Sequence, residues 1–308
     1  FPPRGGRAAF AQMFTLLWIP ATLAASVLQV ARNALQRGLL PRSGPWAATL
    51  VRFLFGLPFA LAITLVARLF TLSAQLHLTP SFWWAAASGA ATQVLATASL
   101  LTAMRRAGFA VGTAMQQSSL PLAAVIGLLA FHDHLRPLAW AGVATTTAGL
   151  LVLTWPRETG GPQPISGAVY GLLSGLAFGY SLNAYRQAAV QLDPHNPIFA
   201  AVSTVCVTQA LQSLALSGLL LAWDRAALRA VFAAWRQSLG AGLFGALASC
   251  CWLTALALAP AASVRALGVI EAPVAAVAGR RLFSERLSLW QWSAGAVTAA
   301  GVALTALN

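Results

Sequence analysis

Lysine is absent from the 308 residues, and acidic residues number only 6. Charged residues therefore make up 8% of the chain, against roughly 25% in an ordinary soluble domain, so the usual water-facing surface is not available. Cysteine is scarce. Cys206, Cys250 and Cys251 all lie inside apolar runs, which argues against a disulfide framework and leaves them as small apolar packing. A Gly-rich phosphate loop, a nucleophile elbow and paired catalytic carboxylates are missing as well. Without those signatures no catalytic residue and no cofactor are expected, and the chain does not read as an enzyme. His132, Asp133 and His134 look metal-like. Consecutive positions point in different directions, however, and no other His or Cys completes a tetrahedral set, so they read as a loop and no metal is expected.

What is present in abundance is apolar sequence. Hydrophobic residues make up 58%, which identifies a membrane protein with the lipid bilayer as its first partner. The net charge of +13 comes from arginines spread singly or in pairs between apolar runs. Nucleic acid needs a clustered basic face, so no nucleic-acid partner is expected; loop charge that sets topology is the simpler reading. Twelve arginines, among them Arg32, Arg37 and Arg105, fall on one predicted side and six on the other. The richer side is expected to be cytoplasmic, with both termini outside, in a multi-pass protein of the inner (plasma) membrane. The opening FPPRGGR lacks methionine, so processing or trimming is expected there. No cleavable signal peptide is expected, because the first apolar run continues to spanning length. Nine tryptophans lie near predicted helix ends as interfacial anchors, while Trp18 and Trp252 lie deeper.

Ten spanning helices are predicted, at about 10–34, 46–69, 81–104, 109–131, 137–155, 165–189, 197–222, 237–258, 261–282 and 289–307. Pro41 to Pro45 mark the first turn, Thr79 to Ser81 the second and Asp193 to Pro197 the sixth; Ser288 with Gln291 reads as a capping box. Adding 152 to each number maps Ala96–Gly149 onto Ala248–Gly301 without a gap. Pro121 falls on Pro273, Phe131 on Phe283, Asp133 on Glu285, Leu135 on Leu287, Trp140 on Trp292 and Gly149 on Gly301. The chain is therefore read as a tail (1–9), a first five-helix repeat (10–155), a linker (156–164) and a second five-helix repeat (165–308). An odd number of spans per repeat inserts the second upside down. The expected fold is an all-α integral membrane protein of two inverted repeats around a central cavity.

Glu271 is the acid placed well inside an apolar segment, two residues before Pro273. An ionisable side chain at that depth is costly and persists where it faces a cavity or a partner. Arg52 poses the same question early in the second helix, and its expected partners are the cavity polar groups or Glu271. Other polar residues recur at helical spacing: Gln93 with Thr97, Gln116 with Ser119, Tyr180 with Asn183 and Gln187, Ser249 with Trp252, and Gln29 with Asn33 at the end of the first helix. Hydrogen bonding between helices explains any one of them. Convergence on one cavity would make Glu271, Arg52, Gln93, Thr97, Gln116, Ser119, Tyr180, Asn183, Ser249 and Trp252 a substrate-binding or coupling site. Gly167, Gly171, Gly175 and Gly179 form a stripe on the sixth helix, expected to let another helix approach closely.

The duplicated ending, with Pro121 or Pro273, Asp133 or Glu285, Leu135 or Leu287, Trp140 or Trp292 and Gly149 or Gly301, resembles the repeat signature of the drug/metabolite transporter superfamily. More narrowly the chain resembles the EamA-type ten-helix exporters, as does Val51-Arg52-Phe53. The resemblance spans both halves and implies movement of metabolites, amino acids or drugs through a central cavity, often in exchange with protons, by a monomer or homodimer. Asp133 stands where glutamate is usual, and the first segment lacks the acid of small multidrug relatives, which points away from a multidrug mechanism. The expected function is a secondary transporter, an exporter of a small organic metabolite such as an amino acid. The alternatives are cationic multidrug efflux, a lipid flippase or a membrane enzyme.

Overall fold

The computed structural model describes residues 16–72, 74–119, 122, 137–154, 165–259, 264, 267–268, 270–284 and 288–306. The tail, the 156–164 linker, Pro121, His132 to His134, Arg265 and Glu285 lie outside the described residues. Eleven helices run through these residues, with no strand among them: α1 (Trp18–Leu54), α2 (Leu57–Phe70), α3 (Pro80–Ala107), α4 (Phe109–Gln116), α5 (Pro137–Thr154), α6 (Ile165–Leu192), α7 (Pro197–Trp223), α8 (Arg225–Ala233), α9 (Trp235–Leu258), α10 (Glu271–Phe283) and α11 (Leu289–Ala306). Three helical stretches, Ser43–Phe70, Pro197–Trp223 and Trp235–Leu258, are long and apolar enough to cross a membrane. The exterior and interior are reversed relative to a soluble protein: Leu65, Leu69 and Phe70 are 58%, 70% and 83% exposed, while Gln36, Thr97 and Arg32 are sealed inside.

The breaks follow from backbone chemistry. Gly44 takes φ 71°, ψ 175°, a conformation open to glycine, and bends α1 between Pro41 and Pro45. Pro58 has no N–H to give the Leu54 carbonyl, and a turn at Phe55–Gly56 separates α1 from α2. Pro273 likewise has no N–H, and α10 begins two residues earlier at Glu271, after a turn at Ile270 that interrupts the expected 261–282 helix. The first helix also runs on to the Gly44 bend, well past the expected end at residue 34. Arg37 consequently stays on a helix, its guanidinium 4.1 Å from the Phe283 ring centroid. Asp224 accepts from the Ala227 N–H at 2.9 Å and caps α8, a short helix that the sequence reading did not anticipate.

The heaviest pairings are α3 with α6 and α1 with α9, followed by α5 with α11 and α2 with α7. The 152-residue shift exchanges the first two and maps each of the others onto itself. A Cβ built on Gly149 would lie 2.5 Å from Thr298 Oγ1, and one on Gly301 would collide with the Thr146 backbone; 149 and 301, like 146 and 298, are equivalent positions. On α6 the glycine stripe seats Gly167 against Ala107, Gly171 against Met115 and Gly175 against Ser118, as close packing requires.

The turn between α6 and α7 is anchored by Asp193. Its carboxylate accepts from the backbone N–H groups of His195 at 3.0 Å, Asn196 at 3.1 Å and Gln75 at 3.2 Å, and from Asn196 Nδ2 at 2.9 Å. Burial raises this carboxyl, but the hydrogen bonds prevail and hold its pKa below the ordinary carboxylate value.

Two outcomes are expected. Gly149→Leu and Gly301→Leu each force α5 from α11, lowering stability by about 1–3 kcal/mol or more in detergent unfolding, with similar losses at the two equivalent sites. Asp193 stabilises the fold when ionised, a contribution present above the unfolded pKa of about 3.9 and lost as pH falls through the lower folded pKa. Asp193→Ala should therefore melt earlier at neutral pH, by the equivalent of about 1–3 kcal/mol, and the gap from wild type should close in strong acid.

Candidate functional site

Between the two halves lies a cavity lined by Gln29 and Arg52 of α1, Gln93 of α3, Gln116 of α4, Phe178, Leu182 and Tyr185 of α6, Val205, Thr208 and Gln209 of α7, and Ser249, Trp252 and Leu253 of α9. It offers about 30 Å³, enough for a water or two when one needs about 10–15 Å³.

Arg52 is the central donor. It is 2% exposed, gives Nη1 to Thr97 Oγ1 at 3.1 Å and Nη2 to Ser249 Oγ at 3.2 Å, and lies 5.1 Å from the Phe53 ring centroid. Thr97 and Ser249 are equivalent under the 152-residue shift, so one guanidinium ties the third helix of the first half to its counterpart in the second. Gly245 makes the room, since a Cβ there would lie 3.0 Å from Arg52 Cγ.

Glu271 is 1% exposed, at the first turn of α10, where a helix favours negative charge. It accepts from Gln29 Nε2 at 2.8 Å and from Gln117 Nε2 at 3.3 Å. Gln29 in turn accepts from Trp252 Nε1 at 3.0 Å. Carboxylate, amide and indole form one chain across α10, α1 and α9. A second chain closes the opposite wall: Tyr185 donates its hydroxyl to Gln93 Oε1 at 2.8 Å, and Gln212 Nε2 donates to both of them at 2.9 and 3.1 Å.

Of the ten expected site residues, Arg52, Gln93, Gln116, Ser249 and Trp252 line the cavity, and Thr97 and Glu271 bond directly to lining residues. Ser119 is buried but does not line it. Tyr180 and Asn183 lie outside. Tyr180 is 39% exposed, and Asn183 gives Nδ2 to the Gly179 carbonyl of its own helix at 3.1 Å. The inward face of α6 is Phe178, Leu182 and Tyr185, and at about 100° per residue Tyr180, Asn183 and Gln187 fall on the opposite side of the helix.

Arg32 needs a larger correction. Counted as loop charge on the arginine-rich side, it is fully buried, gives Nη2 to Asn33 Oδ1 at 2.6 Å, and feels the charges of both Arg52 and Glu271. The cause is the longer first helix: with its bend at Gly44, Arg32 sits twelve residues before the bend, about 18 Å inside. Gln117, Tyr185, Thr208, Gln209 and Gln212 were also missed. The spacing of Thr204, Thr208 and Gln212, one turn apart, was the available signal for α7. For Gln117 there was none, because the helix breaks there and its periodicity ends.

Gln29→Leu should remove an acceptor from Trp252 and a donor from buried Glu271, lowering stability by about 1–3 kcal/mol in detergent unfolding. Asn183→Ala, outside the cavity, should change it by less than about 0.5 kcal/mol.

No protein-family model and no curated protein matches the sequence. Solved structures do: 24 chains match. One, described only as a crystal structure of a protein, is similar over 96% of this chain and 98% of its own, with a TM-score of 0.59 at 19% identity. The likeness is one of fold alone.

Proposed function

We propose that this chain is a secondary transporter of a small organic metabolite, built as ten membrane-spanning helices in two inverted five-helix halves and related to the EamA-type exporters of the drug/metabolite transporter superfamily. It exports its solute across the plasma membrane by alternating access, with protons or by exchange. The observation that carries this reading is a cavity with buried charge, lined by helices of both halves, inside a bundle whose exterior is apolar. Lipid-facing structure accounts for the exterior, and traffic of a polar solute would account for the polar chemistry at the centre. The exchange of helix pairings under the 152-residue shift supports a two-fold relation between halves, and five spans in each would make it an inverted one. Helix breaks at Gln117–Ser118 and at Ile270, equivalent points ahead of Pro121 and Pro273, give both halves an interrupted fourth helix beside the cavity. Interrupted helices at binding sites are a recurring feature of such folds.

In this reading Glu271 is the coupling group. Its carboxylate holds the amides of Gln29 and Gln117, and a proton arriving there releases one of them, altering the wall between α10 and α1. Purified protein in sealed liposomes should move a metabolite down an imposed proton gradient. Glu271→Gln, which keeps size and hydrogen bonding, should lower that rate roughly tenfold, the equivalent of one lost charge-assisted hydrogen bond, and remove its pH dependence. Wild-type rate and pH profile in the variant would exclude the coupling role, and conversion of a solute in detergent without vectorial movement would favour an enzyme.

A further inference from the structure

Among the described residues the charges inside the bundle do not balance. Arg52 is 2% exposed and its hydrogen-bond acceptors are two neutral hydroxyls, those of Thr97 and Ser249; its Nε has no partner. Among the described residues there are three acids. Asp193 is held in the α6–α7 turn, Asp224 caps α8, and Glu271 bonds Gln29 and Gln117 within the field of Arg32. If Glu271 offsets Arg32, Arg52 remains a buried cation without a counter-charge, a costly arrangement. The same cavity wall carries Gln209, whose amide has neither Nε2 nor Oε1 bonded although both are buried.

We infer that the cavity, on opening beyond the water-sized space it has in this conformation, binds an oxyanion, the carboxylate or phosphate of an organic anion, whose charge offsets that of Arg52. The guanidinium fork matches planar oxyanions with paired N–H donors, Nε is open to donate, and the Gln209 amide supplies a further donor. An ammonium group in the cavity would instead add a second positive charge beside buried Arg52. The inference deepens the transporter reading by naming the class of solute, yet binding itself is a property of the cavity and is measurable without transport.

The experiment uses the full chain in detergent, with thermal unfolding and calorimetric titration against benzoate, glycerol 3-phosphate, tetraethylammonium and glycerol. Benzoate or glycerol 3-phosphate should raise the melting temperature of wild type and of Tyr180→Phe, and the stronger of the two identifies carboxylate or phosphate as the preferred group. Arg52→Gln should lose the effect, its affinity falling on the order of ten- to a hundredfold. Arg52→Lys, which keeps charge but not the fork, should fall between. Ligand-free Arg52→Gln should melt no lower than wild type, because an uncompensated charge has gone; a structural arginine would give the opposite sign. If Arg52→Gln does not fold, the charge is structural and the inference is wrong. Equal stabilisation by tetraethylammonium or glycerol, or undiminished anion binding in Arg52→Gln, overturns it too. Solute counterflow in liposomes separates this inference from the transporter reading. Anion binding without counterflow of any solute keeps the site and removes the transporter, whereas counterflow of cations alone keeps the transporter and removes the anion site.

Discussion

A charge enclosed in an apolar bundle must find its partners within the bundle, because neither solvent nor lipid offers them. The Glu271–Gln29–Trp252 chain meets that constraint by drawing one side chain from each of α10, α1 and α9. Separating any of these helices would leave a carboxylate, an amide or an indole buried without its bond, a loss larger than that of any single apolar contact. Arg52 also reaches from α1 to α3 and α9, through the neutral hydroxyls of Thr97 and Ser249. One buried carboxylate and its partners therefore link three helices. The apolar packing around them is largely small: Ala47, Ala48, Ala96 and Ala241 are sealed in the main core cluster, and such residues let the backbones approach closely enough for these short polar bridges to form.

The two halves share a frame but not a chemistry. The frame repeats closely, with Gly149 against Thr298 where Gly301 meets Thr146, and with hydroxyls at both 97 and 249. The charges do not repeat. The counterpart of Arg52 is Thr204, that of Glu271 is Ser119 and that of Arg32 is Ala184, while Tyr185 stands opposite Asn33. Sequence-equivalent positions thus supply hydroxyls on both sides of the cage, and none of Arg32, Arg52, Tyr185 and Glu271 has an ionisable counterpart. A solute in such a cage meets a polar environment that is lopsided: guanidinium groups come from α1, the carboxylate from α10, and the Tyr185–Gln93–Gln212 wall closes another side.

Proline and glycine decide where the helices stop, and this is why the polar groups face inward together. Gly44 bends α1 past its midpoint and leaves Arg52 on the stretch that leads into Pro58; Pro273 ends helical bonding just where Glu271 begins α10. An interrupted helix leaves backbone groups without helical partners, and a polar cavity is the place where that can be tolerated in lipid.

The all-α character, many helix positions and the burial of Arg52 and Glu271 inside the bundle were legible in the sequence, because each rests on a local rule: length and hydropathy for helices, and the cost of charge in an apolar run for Arg52 and Glu271. Interior residues on regular helices were legible for the same reason, as Gln93, Thr97, Ser249 and Trp252 show. Arg32 was not, since its depth depends on where the first helix ends, and proline and arginine near Gly44 read as a loop until packing against α9 keeps them helical. Tyr180 and Tyr185 share a helix, and periodicity alone does not say which face meets α3 and α7. Partner choice, such as Gln117 reaching Glu271 across 154 residues, is a property of the assembled bundle, because hydrogen bonding between distant segments is decided by distance and angle, which only the tertiary structure sets.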